Sequence, residues 1–291
     1  MTKIPLSEIA RHFASFQATP HLKDYLFAVL RLCPPGTRSF EVTIDQGFGA
    51  IWLSKRGIAA EGIDQAAATV QRARQINGIL GGATRFVHGD ASNYLSCQEQ
   101  AGISYQVIHH HGVLSRMAVP WIRSALARQL LSAQWVVFSV PSVYAQDPEH
   151  DDQRLLPIEE WQRILAPFEI EELKYYSEHQ ERDSILCTLR GRAGYEALRT
   201  LITVPEKPYA PGISGIVHTR NEARHIAACL ESLQPWTDEL IVCDMESEDV
   251  TVEIARRYTQ EIVAHPRVAN FDRARNVSAM RAKYRIMRLF A

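Results

Sequence analysis

GISGIVHTRNEARHIAACLESLQPWTDELIVCDMESEDVTVEIARRY, residues 212–258, decides how the last third of this 291-residue chain folds. An apolar run, Ile213–Val217, gives way to the polar turn HTRNE (218–222) and then to a helical stretch, Ala223–Leu233. A second apolar run, Leu240–Cys243, ends in Asp244, and Ser247-Glu248-Asp249 leads into a helix over Val250–Tyr258. A third short strand is predicted at Glu261–His265. Strands alternating with helices require crossover connections and a mostly parallel sheet. Polar groups gathered where such strands end suit a nucleotide, with Asp244 and Glu222 holding base and ribose beside the Thr219 backbone. Asn221 and either Ser247 or Asp249 read equally well as helix caps.

Taken as a set, TRNE (219–222), CDMESED (243–249) with TVEIARRY (251–258), and ARN (274–276) resemble family 2 glycosyltransferases of the GT-A fold, over about residues 213–280. The resemblance implies that Thr219, Glu222, Asp244 and Arg275 bind a nucleotide-sugar donor. In that family a further strand ends in a D-x-D that holds a divalent cation on the diphosphate. No such motif follows residue 280 here. The stretch holding Arg281, Lys283, Arg285 and Arg288 reads instead as a cationic, weakly patterned tail, expected to lie solvated on a surface. The expectation is a truncated or frameshifted glycosyltransferase half without a metal site. Its first strand would then be an unprotected edge, so self-association through 212–219 is expected.

A Pro/Gly-rich linker, VPEKPYAPG (204–212), precedes this segment. The expected domains are therefore 1–203 and 213–291. Upstream, residues 1–33 read as helical, with Leu22, Tyr25, Leu26, Val29 and Leu30 on one face, stopped by Pro34-Pro35-Gly36. Strands are predicted at Phe40–Ile44, Ile58–Ile63, Arg85–His88, Tyr105–His109 and Trp135–Val140, with helices such as Gln65–Ile76 and Val119–Leu131 between them. After a helix opening at Pro157, the strands Phe168–Tyr176 and Ile185–Leu189 are joined too briefly for a crossover and must pair antiparallel. The fold class is α/β: a Rossmann-like sheet of seven strands, then a smaller α/β nucleotide-binding half.

Asp45-Gln46-Gly47-Phe48-Gly49 lies between a predicted strand and a helix, where glycines permit a tight turn and close approach of a ligand. The strand AAEGID ends in Asp64, where a carboxylate can grip ribose hydroxyls. A third strand ends in Gly89-Asp90. A GxGxxG fingerprint fails because its third glycine would fall on Trp52. The glycine turn, GID (62–64), GDA (89–91), HHHGVLSRM (109–117) and WVVFSVPS (135–142) instead resemble class I S-adenosylmethionine-dependent methyltransferases, over about residues 20–190. The resemblance implies that Asp45, Gly47 and Gly49 surround the methionine part of the cofactor. It further implies that Asp64 holds the ribose, Asp90 approaches the adenine amine, and His111-Gly112 border the methyl donor. Two departures are visible: Ile51 replaces the third glycine of that family's loop, and the loop with its helix is about one turn short. His109 and His111, on one face of a strand, are the candidate general bases; two imidazoles without a third ligand make a poor metal site.

The composition is that of an ordinary globular chain, 46% hydrophobic and 22% charged, and a formal charge of −1 excludes a general attraction to nucleic acid or anionic membrane. No apolar run is long enough to span a bilayer. Five scattered cysteines without a CxxC point to reduced thiols and a cytoplasmic protein. The leading expectation is methyl transfer from S-adenosylmethionine to an unknown, glycan-related acceptor, with a partial glycosyltransferase module attached. A nucleotide-sugar-dependent glycosyltransferase and a non-catalytic nucleotide-binding protein are the alternatives.

Overall fold

The computed structural model describes all residues except 1–5, 19, 118, 146–153, 178–181, 192–195, 203–209, 268–270, 280 and 291. The chain divides into two compact units, one of residues 1–151 with 158–205 and the other of 152–157 with 206–291.

The first unit opens with two helices, α1 (Leu6–Ala18) and α2 (Pro20–Leu32), rather than a single helical run. Proline is tolerated at the first position of a helix, which suits Pro20 to start α2. The elements then alternate: β1 (Arg38–Val42), α3 (Phe48–Ser54), β2 (Ala59–Asp64), α4 (Ala67–Leu80), β3 (Arg85–His88), α5 (Ala91–Gln100), β4 (Tyr105–His111), α6 (Val119–Ser132) and β5 (Ala133–Pro141). The unit closes with α7 (Ile158–Leu165), β6 (Glu169–Tyr176), β7 (Ser184–Arg190) and α8 (Glu196–Ile202). The seven strands lie in the order β3-β2-β1-β4-β5-β7-β6, and β7 pairs antiparallel with both neighbours. The expected seven-strand Rossmann-like sheet is therefore present. Residues 136–140 of β5 and 184–189 of β7 are buried without a break, as strands covered on both faces must be.

On the predicted face of α2, Tyr25, Leu26 and Val29 are buried and Leu30 is half-buried, while the Leu22 side chain lies outside the described residues. These side chains join Ile9 and Phe13 of α1 in a cluster with Phe48, Ile51, Trp52 and Leu53 of α3. The Phe13 and Phe48 rings meet at 5.4 Å, tilted by 60°, and the Arg56 guanidinium lies 3.4 Å from the Trp52 ring centroid. This packing holds α3, which is only seven residues long. Its residues 48–53 are all buried, so it is held by tertiary contacts rather than by length. Ile51 is wholly buried in that cluster.

The second unit contains β8 (Ala210–Thr219), α9 (Ile226–Leu233), β9 (Glu239–Asp244), α10 (Thr251–Ala255), β10 (Ile262–Ala264), α11 (Phe271–Ala279) and β11 (Tyr284–Phe290). Its sheet order is β10-β9-β8-β11, all parallel. Two expectations are corrected here. The stretch after residue 280 is not a solvated tail, because Tyr284–Phe290 forms a strand whose register runs from Tyr284 opposite Ala210 to Phe290 opposite Val217. Residues 212–219 are consequently no edge: β9 lies on one side and β11 on the other. The expected self-association through 212–219 loses its physical basis, since the backbone groups that would have recruited a second chain are already paired.

Candidate functional site

In the first unit, β1, β2 and β3 are laid down toward one side, after which the chain returns to place β4 beside β1. Open α/β sheets bind ligands at such a reversal, outside the carboxyl ends of the strands. A cavity of about 370 Å³ lies at that edge. It takes Thr43 from just after β1, Asp64 from the end of β2 with Gln65 beyond it, Gly89 and Asp90 from just after β3, and Leu114 from beyond β4; α6 adds Arg128 and Gln129. Both carboxylates predicted from the sequence thus share one cavity.

Each carboxylate also serves the local backbone. Asp64 Oδ1 accepts from the Ala66 amide at 2.8 Å. Asp90 caps α5, accepting from the Asn93 amide at 2.9 Å, and its other oxygen accepts from Gln65 Nε2 at 3.0 Å. These bonds fix the side chains at the cavity wall. They also leave acceptor capacity, because an ionised carboxylate offers about four lone-pair sites.

The turn after β1 is built differently from its sequence reading. Thr43, Asp45 and Gly47 have φ of 63°, 43° and 76°. Three alternate residues therefore take the left-handed conformation that glycine adopts without cost, and two of them are not glycine. For a β-branched residue such as Thr43 this is an outlier. Gly47 is needed twice over, since a Cβ there would also come within 2.5 Å of the Phe86 ring. Gly49 lies inside α3 and faces Glu41: a Cβ would approach Glu41 Oε1 to 2.6 Å, and Glu41 Oε2 accepts from the Ala50 amide at 3.0 Å. Burial pushes the Glu41 carboxyl up to about 8, with the Asp45 charge adding to the shift and the Ala50 amide opposing it. Asp45 is exposed, and neither it nor Gly47, Gly49, His111 or Gly112 lines the cavity.

His109 and His111 both meet Tyr25 on one face of β4, as strand alternation requires, but they differ in exposure because β4 ends at His111. His109 is fully buried, and its Nδ1 meets the Tyr25 hydroxyl at 2.9 Å. Burial and the neighbouring His110 bring its pKa down to about 3, so it is neutral at physiological pH. His111 is exposed, with its ring 5.9 Å from that of Tyr25. Of the two candidate bases, His111 is the one that solvent reaches. Gly112 takes φ 67° and donates its amide to Ser139 O at 2.8 Å, turning the chain away from β4. Among the described residues no group of three His, Cys, Asp or Glu side chains could hold a metal ion.

In the second unit, Thr219 and Asp244 stand opposite each other at the ends of β8 and β9. Both are buried, 3% and 7% exposed. Asp244 Oδ2 accepts from the Ser247 amide at 3.1 Å, whereas Asp244 Oδ1 and Thr219 Oγ1 meet no protein partner. Buried polar atoms left so are rare. Glu222 is exposed, and its amide donates to Thr251 Oγ1 at 2.8 Å. Arg275 is half-buried on α11, which is fastened to β8 by a 2.8 Å bond between His218 Nε2 and Ser278 Oγ. The remaining motif residues clasp two loops together. Asn221, at φ 55°, accepts from the Glu248 amide at 2.7 Å and donates its own amide to Ser247 Oγ at 2.9 Å; Asp249 accepts from the Ala223 amide at 3.2 Å.

Residues 214–289 match the model described as Glycosyl transferase family 2. The match bears out the resemblance carried by TRNE, CDMESED and ARN, and it extends into β11. An uncharacterized glycosyltransferase of Rickettsia conorii is 41% identical over 54 residues, 19% of this chain and 19% of that protein. One of Rickettsia prowazekii is also 41% identical over 54 residues, 19% of this chain and 18% of that protein. The chain thus spans about a fifth of the length of these curated relatives. Among solved structures, similarity is found to the SAH-bound magnesium protoporphyrin IX methyltransferase of Synechocystis PCC 6803, at 15% identity and a TM-score of 0.46, covering 66% of this chain and 90% of that one. A TehB-like SAM-dependent methyltransferase of Corynebacterium glutamicum gives 16% identity and a TM-score of 0.45, covering 64% and 98%.

Proposed function

We propose that the first unit binds S-adenosylmethionine at the carboxyl edge of its sheet and transfers the methyl group to an acceptor. The observation that carries this reading is the cavity shared by Asp64 and Asp90 beside β1 and β4. Its donor set fits the cofactor: carboxylate oxygens for ribose hydroxyls, and Ile63, Leu95, Val113 and Leu114 as apolar walls for a base. Its volume lies within the range of small-molecule sites. Once bound, the cofactor supplies an activated sulfonium methyl. The chain's own task is to orient the reactants and exclude water. Asp64 grips the ribose, Asp90 lies toward the adenine, and Thr43, where the turn after β1 begins, borders the methionine arm. His111 takes the acceptor's proton where the acceptor carries one at neutral pH. We place the acceptor among sugar-bearing molecules because a glycosyltransferase-like unit shares the chain, and the protein in the cytoplasm because all five cysteines are free.

A second reading is supported by the other unit. The buried Thr219 Oγ1 and Asp244 Oδ1, without protein partners at the ends of adjacent parallel strands, suit the base or ribose of a nucleotide-sugar donor. On that reading the chain takes part in glycosyl transfer, and the first unit is its companion.

Equilibrium dialysis with labelled S-adenosylmethionine tests the first reading. The full chain should retain the label, release it to S-adenosylhomocysteine, and lose at least about tenfold in affinity on Asp64→Ala, which removes a charge-assisted hydrogen bond. Retention of nucleoside diphosphate alone, abolished by Asp244→Ala, would favour the second.

A further inference from the structure

Two buried polar atoms at the α6 end of the first unit's cavity have no partner in the protein. Gln129 is 4% exposed, and its Oε1 receives no hydrogen bond. The Nε–H of Arg128, the preceding residue on the helix, is likewise buried and donates to nothing. Both residues line the cavity. His110 lies close enough to Gln129 to feel its amide, but the pair lacks hydrogen-bond geometry. Arg128 is not loose: its Nη1 donates to Glu99 Oε2 at 3.0 Å, and Glu99 is itself fixed by Arg199 at 2.7 Å. A held donor and a buried acceptor on successive residues of one wall therefore await a ligand that presents the complementary pair. Asp90, to which the family resemblance gives the adenine amine, has one donor on each oxygen and lone pairs to spare.

We propose that Gln129 and Arg128 read the amine-bearing edge of adenine and make the first unit selective for adenine over 6-oxo purines. Adenine presents an exocyclic amine donor beside a ring-nitrogen acceptor, the pattern that a side-chain amide and a guanidinium N–H complement. Gln129 Oε1 accepts from the amine, and Arg128 Nε–H donates to the adjacent ring nitrogen. Leu95, Leu114 and Ala125 supply apolar cavity wall around the base. A hypoxanthine base puts a carbonyl where the amine would be and a ring N–H where the acceptor would be. It would set acceptor against Gln129 Oε1 and donor against Arg128. Sites built from buried polar groups reject ligands that leave those groups unpaired far more strongly than sites built from apolar contact. This selectivity rests on the cofactor reading given above and adds to it which residues recognise the base.

The test is calorimetric titration of the full chain with S-adenosylhomocysteine and with its deaminated analogue, S-inosylhomocysteine. The wild-type chain is expected to prefer the adenine form by about tenfold or more. Gln129→Met, which keeps the volume and removes the acceptor, should bring the preference below about threefold, while Gln129→Glu, which keeps an oxygen in place, should retain it. Should Gln129→Met lose its cooperative melting, Arg128→Lys gives the second reading: it retains a cation for Glu99 but drops the Nε–H donor, and should lower the preference about threefold. Equal binding of both compounds by the wild type, or a preference untouched in Gln129→Met and Arg128→Lys, would overturn the proposal while leaving the cofactor reading intact. Failure of the wild type to bind S-adenosylhomocysteine at all would overturn both.

Discussion

The turn that follows β1 and the turn that follows β8 perform the same architectural task in different materials. Each leaves the first strand of a parallel sheet at its carboxyl end and leads into a helix. In the second unit the turn is written in side chains: Asn221, Ser247, Asp249 and Thr251 exchange hydrogen bonds with backbone amides across two loops. In the first unit it is written in backbone conformation, with Thr43, Asp45 and Gly47 alternately left-handed. A turn held by side chains requires specific residue types. A turn held by φ angles requires only that the surrounding packing impose them, here through the α1–α2–α3 cluster around Phe48. The difference predicts opposite responses to glycine.

Removing the clasp should have the largest effect. Asn221→Ala loses the bond to the Glu248 amide and puts a Cβ without a compensating contact at φ 55°. We expect about 2 kcal/mol of destabilisation in the transition of the second unit, with Asn221→Gly costing less because the backbone conformation is then free of strain. Chemical denaturation monitored by Trp236 fluorescence would check it; equal losses for Ala and Gly would show that the φ angle is irrelevant. The contrasting change is Asp45→Gly, which should stabilise the first unit by about 1 kcal/mol, since relief of a left-handed non-glycine outweighs the added freedom of the unfolded chain. A loss of stability would mean that the Asp45 carboxylate holds the turn. The last contrast is read in pH rather than at one condition, and it concerns Glu41, behind the same turn. Its folded pKa, about 8 against an ordinary 4.5, means that the folded state holds an extra proton between those values. The stability this group contributes is complete below about pH 4.5 and is lost as pH rises through about 8. Glu41→Gln, which mimics the protonated form, should flatten that decline in a melting series across pH.

This contrast also governs what the sequence could reveal. The motif of the second unit was legible because Asn221, Asp244 and Asp249 must be what they are to make their bonds, and the family match covers the same residues. In the first unit the seven strands, and the acids at the ends of β2 and β3 that line the cavity, were legible from strand patterning. The left-handed Thr43 and Asp45 were not, because nothing in their residue types announces a glycine conformation. Gly49, which looked like a ligand-facing glycine, is instead the space that Glu41 occupies. Gln129 was equally hidden: a glutamine within a helical stretch gives no sign that α6 turns it toward a cavity formed by strands far away in sequence. The strand at Tyr284–Phe290 was obscured by its arginines, yet its backbone pairs with β8 whatever those side chains do.

The most direct measurement is a crystal of the full chain soaked with S-adenosylhomocysteine. Density for the nucleoside is expected within the cavity between β1 and β4, with the ribose hydroxyls on Asp64 and the base between Leu95 and Leu114. A soaked crystal in which that cavity stays unfilled, or in which the compound binds elsewhere, would contradict the cofactor reading.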